Sequence, residues 1–349
     1  MVERHKATNP IDIVSLGVVA LNEQDALPGL LQDITSQDFP HERMQIVLVD
    51  GGSCDATRHI MQQFKNEHSG HAGCFHSVLV LANPRKIQAA GWNVVIDNAC
   101  GDCVIRVDAH SGIAPDFVSK NVEVLDSGEW VCGGFRPTVI EEGTHTPWMD
   151  TLHLSEEAAF GSSVAAYRRE GEAGYVDSVF HGAYRREVLA EVGHFDERLL
   201  RTEDNDFHFR IRQLGYQIRF DPAIRSEQHM RGSLKKMLKQ KYGNGFWVGR
   251  TVYVQPGCLA LHHFIPLVFI LGIVLLTVIG LVATWMPFMV CGVLYALVCV
   301  LLAVRATAQS GHMDVTRLAL PFVFMGIHIS YGIGTVVGLI AGIVRPLKK

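Results

Sequence analysis

Charged side chains are missing from two long stretches near the C-terminus of this chain. No Asp, Glu, Lys or Arg occurs in residues 251–304, and none occurs in residues 318–344. A helix of about 20 apolar residues crosses a bilayer, whereas soluble helices of this length carry a polar face. The C-terminal third is therefore predicted to lie in a membrane. The predicted spans lie near residues 259–283, 286–304 and 318–344.

Three further absences exclude other classes of protein. Residues 1–10 contain no apolar run, so no secretory signal is predicted and the first domain is expected to stay in the cytoplasm. The eight cysteines form no disulfide framework, and Cys100 and Cys103 are predicted to be ordinary buried thiols rather than a zinc or redox site. A net charge of −4 gives no reason to expect nucleic acid as a partner.

Strand-like and helix-like patterns alternate before the apolar stretches. Hydrophobic residues make up 48% and charged residues 19% of the chain, which indicates a folded protein. The alternation predicts an α/β domain with a mostly parallel sheet. The predicted strands are 13–19, 46–49, 77–81, 103–107 and 216–220, and the predicted helices are 25–35, 55–64, 86–98, 184–192 and 203–214. Periodicity fades over residues 133–176, which predicts a long variable loop region.

A basic segment precedes the first apolar stretch. Residues 231–250 contain six Lys or Arg and no acid. Leu234, Met237, Leu238 and Tyr242 share one helical face behind the candidate N-cap Ser233, which predicts an interfacial helix that contacts anionic lipids. A solvated run of charge is the alternative. The predicted domains are thus residues 11–230 (α/β), 231–256 (basic and interfacial) and 257–349 (transmembrane).

The triplet Asp108-Ala109-His110 follows a predicted buried strand. Residues i and i+2 of an extended segment point the same way, so both side chains can reach one divalent cation that holds a diphosphate. A surface loop is the alternative for the triplet taken alone.

Asp50 ends an earlier strand and is followed by two glycines. This arrangement leaves the backbone close to a ligand, and Asp50 is placed to accept hydrogen bonds from a base or ribose. A tight strand-to-helix turn, with Asp55 favouring the helix dipole, is the alternative.

Taken in order, these motifs resemble glycosyltransferase family 2 over residues 13–250. The resemblance is closest to the succinoglycan-type, ExoA-like transferases of exopolysaccharide assembly. The segments that carry it are 20–23 (ALNE), 50–57 (DGGSCDAT), 83–93 (NPRKIQAAGWN), 108–110 (DAH), 180–186 (FHGAYRR), 193–197 (GHFDE) and 202–206 (TEDND).

The resemblance implies a GT-A fold, inverting transfer and roles for particular residues. Asp204 would be the catalytic base, and Asp108 and His110 would hold the metal and the ribose-diphosphate. Trp247 would stack on a sugar ring, with a membrane-interface aromatic as the alternative. The other substrate-binding residues would be Asn22, Glu23, Asp50, Lys86 and Glu203.

Two positions depart from the family pattern. Gly51 replaces the second Asp of Asp-Asp-Gly-Ser, so part of the nucleotide contact is lost or made by the backbone. His110 replaces the last acid of Asp-x-Asp, which should shift the preferred cation from Mg²⁺ toward Mn²⁺.

The expected function is that of a membrane-bound inverting glycosyltransferase of polysaccharide biosynthesis. It would transfer a hexose from a nucleotide sugar, with UDP expected, to a polyprenyl-diphosphate-linked or glycan acceptor at the inner (cytoplasmic) membrane. A non-catalytic scaffold with the same fold is the alternative. Three crossings would place Arg345, Lys348 and Lys349 outside, and a re-entrant last segment broken near residues 331–334 would return them inside.

Overall fold

A computed structural model describes residues 5–70, 74–140, 145–158, 160, 166–168, 171–230 and 232–347. The chain divides into two compact units. The first unit comprises Met1–Pro137 and Ala165–His229, and the second unit comprises Thr138–Val164 and Met230–Lys349. Lys348 and Lys349, which enter the topology prediction, lie outside the described residues, as does Arg231 of the basic segment.

The described residues form ten strands and eleven α-helices. The strands are β1 (Val14–Ala20), β2 (Met44–Asp50), β3 (Ser77–Ala82), β4 (Cys103–Asp108), β5 (Ser111–Ile113), β6 (Val131–Phe135), β7 (Thr138–Val139), β8 (Gly174–Val176), β9 (Ala183–Arg185) and β10 (Ile218–His229). The helices are α1 (Leu27–Thr35), α2 (Thr57–Glu67), α3 (Gln88–Asn98), α4 (Phe117–Asp126), α5 (Pro147–Glu157), α6 (Arg186–Val192), α7 (Glu203–Gln213), α8 (Leu234–Thr251), α9 (Ile265–Val282), α10 (Met286–Ser310) and α11 (Leu320–Val344).

The first unit is built on one mixed, mostly parallel sheet, as predicted. Its strand order is β3-β2-β1-β4-β9-β6-β10-β5, and β8 pairs with β10. Strands β3, β2, β1 and β4 are parallel to one another, and β6 is parallel to β10. The short strand β9 lies antiparallel between β4 and β6, so β4 and β6 run in the same direction. The carboxyl ends of the parallel strands therefore meet at one edge, where open α/β sheets bind ligands.

Both faces of this sheet are covered, which explains why β2 and β4 are buried along their whole length. One cluster packs Leu27, Leu30 and Ile34 of α1 against residues of β1 and β2. The other cluster includes Trp92 of α3 and Phe207 of α7. These three residues of α1 lie three or four positions apart and therefore share one side of the helix.

Three details of the predicted secondary structure and one prediction of burial are wrong. Residues 184–192 are not all helical, because β9 extends to Arg185 before α6 begins. The strand predicted to end at 220 continues in β10 to His229. Residues 133–176 include α5, which Thr146 caps by accepting a hydrogen bond from the Met149 N–H. Cys103 is buried but Cys100, which precedes β4, is exposed.

Three helical segments of the second unit are long and apolar enough to cross a membrane, which agrees with the sequence. They are Leu261–Val282, Met286–Ser310 and Val315–Val344. Helix α11 continues through residues 331–334, so the break suggested for this segment is not present. His328 of α11 bonds through Nδ1 to the hydroxyl of Tyr295 on α10 at 2.9 Å, a contact of the kind that joins membrane helices.

Helix α8 packs along α11 at very short range. Ser233 caps α8 as predicted, with its Oγ accepting from the Lys236 N–H at 3.3 Å. A Cβ added at Gly334 would lie 2.2 Å from the carbonyl oxygen of Tyr242, and one added at Gly338 would lie 2.1 Å from that of Phe246. The two backbones therefore approach each other only because these positions are glycine.

Candidate functional site

The carboxyl end of β4 carries the Asp-Ala-His triplet at the binding edge of the sheet. Asp108 is the last residue of β4 and is buried. Its Oδ1 accepts a hydrogen bond from Nε2 of Gln88 at 3.3 Å, and its N–H donates to Nε2 of His181 at 3.4 Å. Burial raises the pKa of the Asp108 carboxyl, while the positive charges of His110 and Arg106 oppose that shift. A further cation beside Asp108 would therefore stabilise the charged form of its carboxyl group.

His110 lies between Asp108 and the loop after β1. Its Nδ1 is 3.4 Å from Oε1 of Glu23, and its charge acts on Asp108. Over the described ranges, no group of three or more His, Cys, Asp or Glu side chains is arranged to hold a metal. Asp108 and His110 offer one oxygen and one nitrogen ligand. A cation held by these two side chains would take its remaining ligands from phosphates and water.

Asp50 and Lys86 both lie at the turn after β2. Asp50 is buried, and its Oδ1 accepts a hydrogen bond from the Ser53 N–H at 3.0 Å. Gly52 has a φ of +83°, and a Cβ added there would lie 2.9 Å from Cε of Lys86. The lysine side chain therefore crosses directly over this turn, and its ammonium lies beside exposed backbone.

Asn22 and Glu23 tie the loop after β1 to the turn after β2. The N–H of Asn22 donates to Oγ of Ser53, and its Oδ1 accepts from the Cys54 N–H, each at 2.9 Å. The N–H of Glu23 donates to Oγ1 of Thr57 at 2.8 Å. The side chain of Asn22 thus orders the loop pair, whereas the carboxylate of Glu23 faces His110.

Asp204 begins α7 beside a buried arginine of β4. Its Oδ1 accepts a hydrogen bond from Nη1 of Arg106 at 2.6 Å. The Arg106 guanidinium lies 4.3 Å from the ring of Trp92 and 4.8 Å from that of Phe195. Burial alone would lower the pKa of Arg106, but the negative charge of Asp204 raises it above its ordinary value. This arginine stays charged and fixes the position of the Asp204 carboxylate.

Glu203 precedes Asp204 but has a different environment. It is 4% exposed, and its Oε2 is buried without a hydrogen-bond partner among the described residues. Burial and the neighbouring Asp204 raise the pKa of Glu203 to about 8. At neutral pH Glu203 is therefore mainly a neutral acid, which differs chemically from the ion-paired Asp204.

His181 is a hydrogen-bond partner of the Asp108 backbone. Its Nε2 receives the Asp108 N–H, and its Nδ1 lies 2.8 Å from Oγ of Ser226. Burial, followed by the charges of Arg136 and Arg106, holds the pKa of His181 well below its usual value. The neutral ring therefore accepts at Nε2 and donates from Nδ1 to the Ser226 hydroxyl.

Three residues of this region were not assigned a role from sequence, namely Arg106, His181 and Arg136. Arg106 lies two residues before Asp108 in an apolar strand, so the alternation of side chains already placed the two on one face. His181 lies in the motif at residues 180–186, but no pattern indicated its partner. Arg136 directly follows β6 and gave no signal before the strand order was known.

Trp247, also predicted to bind substrate, belongs to the second unit. It lies on α8 and packs edge-to-face against Phe246, with ring centroids 5.8 Å apart. The first unit brings together the remaining predicted residues along its sheet edge, in the groups described above.

Comparison with known proteins gives consistent results. The sequence profile described as Glycosyl transferase family 2 matches residues 15–193. The dolichyl N-acetyl-alpha-D-glucosaminyl phosphate 3-beta-D-2,3-diacetamido-2,3-dideoxy-beta-D-glucuronosyltransferase of Methanococcus voltae is 23% identical over 277 residues, which cover 78% of this chain and 83% of that protein. Succinoglycan biosynthesis protein ExoA of Rhizobium meliloti (strain 1021) is 24% identical over 254 residues, covering 72% and 73%.

A solved structure has the same fold. It is a mannosyltransferase of Pyrobaculum calidifontis in complex with GDP-Man and Mn²⁺. The alignment has a TM-score of 0.60 and 15% sequence identity, and it covers 96% of this chain and 90% of that one. The first unit is thus a GT-A-like domain followed in the chain by apolar helices.

Proposed function

The chain belongs to glycosyl transferase family 2, and from this premise we propose that it transfers a hexose from a nucleotide-diphospho-sugar to a lipid-linked acceptor, with inversion at the anomeric carbon. We expect a UDP-sugar as the donor. The observation that carries the proposal is that Asp108, two residues before His110, and the ion-paired carboxylate Asp204 are close enough for their charges to interact.

The donor end of the proposed site uses the loops after β1, β2 and β4. Asn22, Glu23 and Asp50 would position the nucleoside, and Lys86 would place an ammonium near its phosphates. Asp108 and His110 would hold a divalent cation, which is expected to be Mn²⁺ or Mg²⁺. When bound, such a cation neutralises negative charge on the departing diphosphate.

Asp204 is proposed as the base that prepares the acceptor. The acceptor hydroxyl oxygen forms a bond to the anomeric carbon, the bond from that carbon to the nucleoside diphosphate breaks, and the hydroxyl proton passes to the Asp204 carboxylate. Attack from the face opposite the leaving group inverts the configuration. Arg106 would keep this carboxylate aimed at the acceptor, and Glu203 would contact substrate as a neutral acid.

The proposed acceptor is lipid-linked, as a polyprenyl-phosphate or polyprenyl-diphosphate sugar or a glycan built on one. The apolar helices favour a substrate that resides in a membrane, and the relative from Methanococcus voltae is named for a dolichyl-phosphate acceptor. The succinoglycan relative supports a place in polysaccharide biosynthesis.

The proposed arrangement in the cell follows from the same features. Residues 11–230 would form the catalytic domain on the cytoplasmic side of the inner membrane, and residues 257–349 would anchor it. Residues 231–256 would lie at the interface, where the exposed side chains of Lys235, Lys236 and Lys239 attract anionic lipids. Trp247 would serve a bound sugar or the membrane interface from the same segment.

The proposal is tested by incubating the purified full chain with a panel of UDP- and GDP-sugars, each with Mn²⁺ or Mg²⁺ and a polyprenyl-diphosphate-sugar acceptor. The expected result is release of nucleoside diphosphate and a new glycosidic bond whose anomeric configuration, read by NMR, is opposite to that of the donor. Retained configuration would contradict the assignment of Asp204. A lack of turnover with every donor would favour a non-catalytic scaffold.

A further inference from the structure

Arg136 is a buried cation whose surroundings leave part of its guanidinium without an acceptor. The residue is 1% exposed. Its Nη1 donates to Oε1 of Gln228, and its backbone N–H donates to the carbonyl oxygen of Tyr167 at 2.7 Å. Its buried Nε has no hydrogen-bond partner among the residues that the structure describes. A buried N–H group without an acceptor is unfavourable, so this position invites a ligand.

Two aromatic rings lie against this guanidinium. Its Cζ lies 3.8 Å from the ring centroid of Phe180 and 5.3 Å from that of Tyr167. None of the ion pairs found within the described ranges includes Arg136. Burial lowers the pKa of Arg136 to about 10, although Tyr167 and Asp108 act against that shift. Buried charges in proteins are normally paired, and no carboxylate of the described residues forms an ion pair with Arg136.

A second arginine lies in the segment whose backbone contacts Arg136. Arg168 ends the short helical turn Ala166–Arg168, directly after the Tyr167 carbonyl that receives the Arg136 N–H. Its Nη1 is also buried without a partner among the described residues, and its charge acts to lower the pKa of Arg136. Two positive charges in a buried site repel each other, and an anion bound between them offsets this repulsion. Guanidinium groups match the oxygens of phosphate better than those of most other anions.

The place of Arg136 in the sheet indicates which part of the substrate it would meet. Arg136 follows β6, which runs in the same direction as β4, so it lies at the same sheet edge as Asp108. Strands β1 and β2, which lead to Asn22 and Asp50, lie on one side of β4, and β6 lies on the other. Arg136 is therefore on the side of Asp108 away from the proposed nucleoside.

We propose that Arg136 and Arg168 form a phosphate-binding subsite beside Asp108. The phosphate would come from the diphosphate of the nucleotide sugar or from the carrier phosphate of a prenyl-linked acceptor. The choice of these two sources rests on the proposed function, whereas the presence of a phosphate subsite rests on the two guanidinium groups alone.

The test measures binding of three probes to the full chain in nanodiscs of neutral lipid. The probes are UDP with Mn²⁺, farnesyl phosphate, and farnesol as the phosphate-free match. The variants are Arg136→Gln and Arg168→Gln, with Arg219→Gln as the control, because Arg219 also stacks on an aromatic ring, at 5.4 Å from that of Tyr175. Both test variants should weaken the binding of one phosphate probe by about tenfold or more and leave the binding of farnesol unchanged. Weaker UDP binding assigns the subsite to the donor, and weaker farnesyl phosphate binding assigns it to the acceptor.

Unchanged affinity of Arg168→Gln for both phosphate probes overturns the proposal, and this variant decides the matter if Arg136→Gln does not fold. Equal weakening by Arg219→Gln overturns it as well, since the effect would then be one of general charge. A wild-type chain that binds farnesyl phosphate through these arginines but transfers no sugar would contradict the proposed function and leave the subsite standing.

Discussion

Arg106 and Asp204 form a hydrogen-bonded ion pair of 2.6 Å between residues 98 positions apart in the sequence. The arginine comes from the middle of a buried strand and the aspartate from the first turn of a helix. The side chain of Arg106 is 5% exposed and that of Asp204 is 22% exposed, so the carboxylate is the more accessible member of the pair. This pair joins the sheet to the helix that carries the proposed base.

Replacement of Arg106 by Gln should lower both stability and transfer. Removal of one partner from a buried pair costs about 3 kcal/mol, and the freed carboxylate no longer has a fixed direction. The free energy of unfolding and kcat are the quantities to measure, alone and in a double-mutant cycle with Asp204→Asn. The control is Arg85→Gln, which breaks the more exposed pair with Glu197 and should cost at most about 1 kcal/mol. Strictly additive effects of the two replacements in the cycle would show that Arg106 does not act through Asp204.

Glu203 predicts a pH dependence of stability. Its folded-state pKa of about 8 is higher than the ordinary value of 4.5, so the folded chain holds this proton over a range in which the unfolded chain has lost it. The stabilisation from this proton is therefore complete below about pH 4.5 and is lost as the pH rises toward 8. Over that range the free energy of unfolding falls by at most about 1.4 kcal/mol per pH unit.

The variant Glu203→Gln should remove that part of the slope, because the amide resembles the neutral acid and does not titrate. Thermal melting from pH 5 to pH 8 compares the variant with the wild type. If the melting temperatures of the variant and the wild type changed in parallel across this pH range, Glu203 would be ionised in the folded chain.

The metal preference should follow residue 110. His110→Asp restores an acidic ligand and should move the ratio of activities toward Mg²⁺ and away from Mn²⁺, since carboxylate oxygen suits Mg²⁺ better than imidazole does.

Asp108→Asn should weaken the binding of UDP in the presence of Mn²⁺ but not in its absence. Titration calorimetry with and without the cation provides the measurement. Equal effects of Asp108→Asn under both conditions would remove Asp108 from the metal site.

Gly334→Ala should destabilise the second unit, because the added Cβ would meet the Tyr242 carbonyl oxygen at 2.2 Å. Overpacking of this kind costs about 1–3 kcal/mol. Gly272→Ala on α9 is the matched control, since nothing lies within 4 Å of its added Cβ and alanine favours the helix. Melting temperatures in one detergent should fall for the first variant only. A similar fall in both would indicate that the close contact of α8 with α11 is not what stabilises this region.

Sequence predicted the elements whose signal is local. Strand-like patterns identified the parallel strands, a helix-like pattern over residues 25–35 identified α1, and the absence of charge identified the apolar helices. The errors occur where long-range pairing decides. Tyr184 lies in a strand because β9 fills the gap between β4 and β6, which no local pattern announces.

The same distinction applies to the site. Asp50, Asp108 and Asp204 each end a strand or begin a helix, so their types and positions were readable. The partners that set their environments were not. His181 reaches Asp108 from 73 positions away, and Arg136 lies beside Asp108 only because β6 follows β9 in the sheet. Contacts of this kind follow from strand order.

The role of Asp204 as the base is tested most directly by comparing sugar transfer and donor binding in Asp204→Asn. The exchange keeps the shape of the side chain and removes its ability to take a proton, so kcat should fall by about 10²- to 10⁴-fold while the affinity for the nucleotide sugar with Mn²⁺ stays at the wild-type value. Transfer at the wild-type rate by this variant would contradict the assignment of Asp204 as the base, because the acceptor proton would then leave by a route that does not involve Asp204.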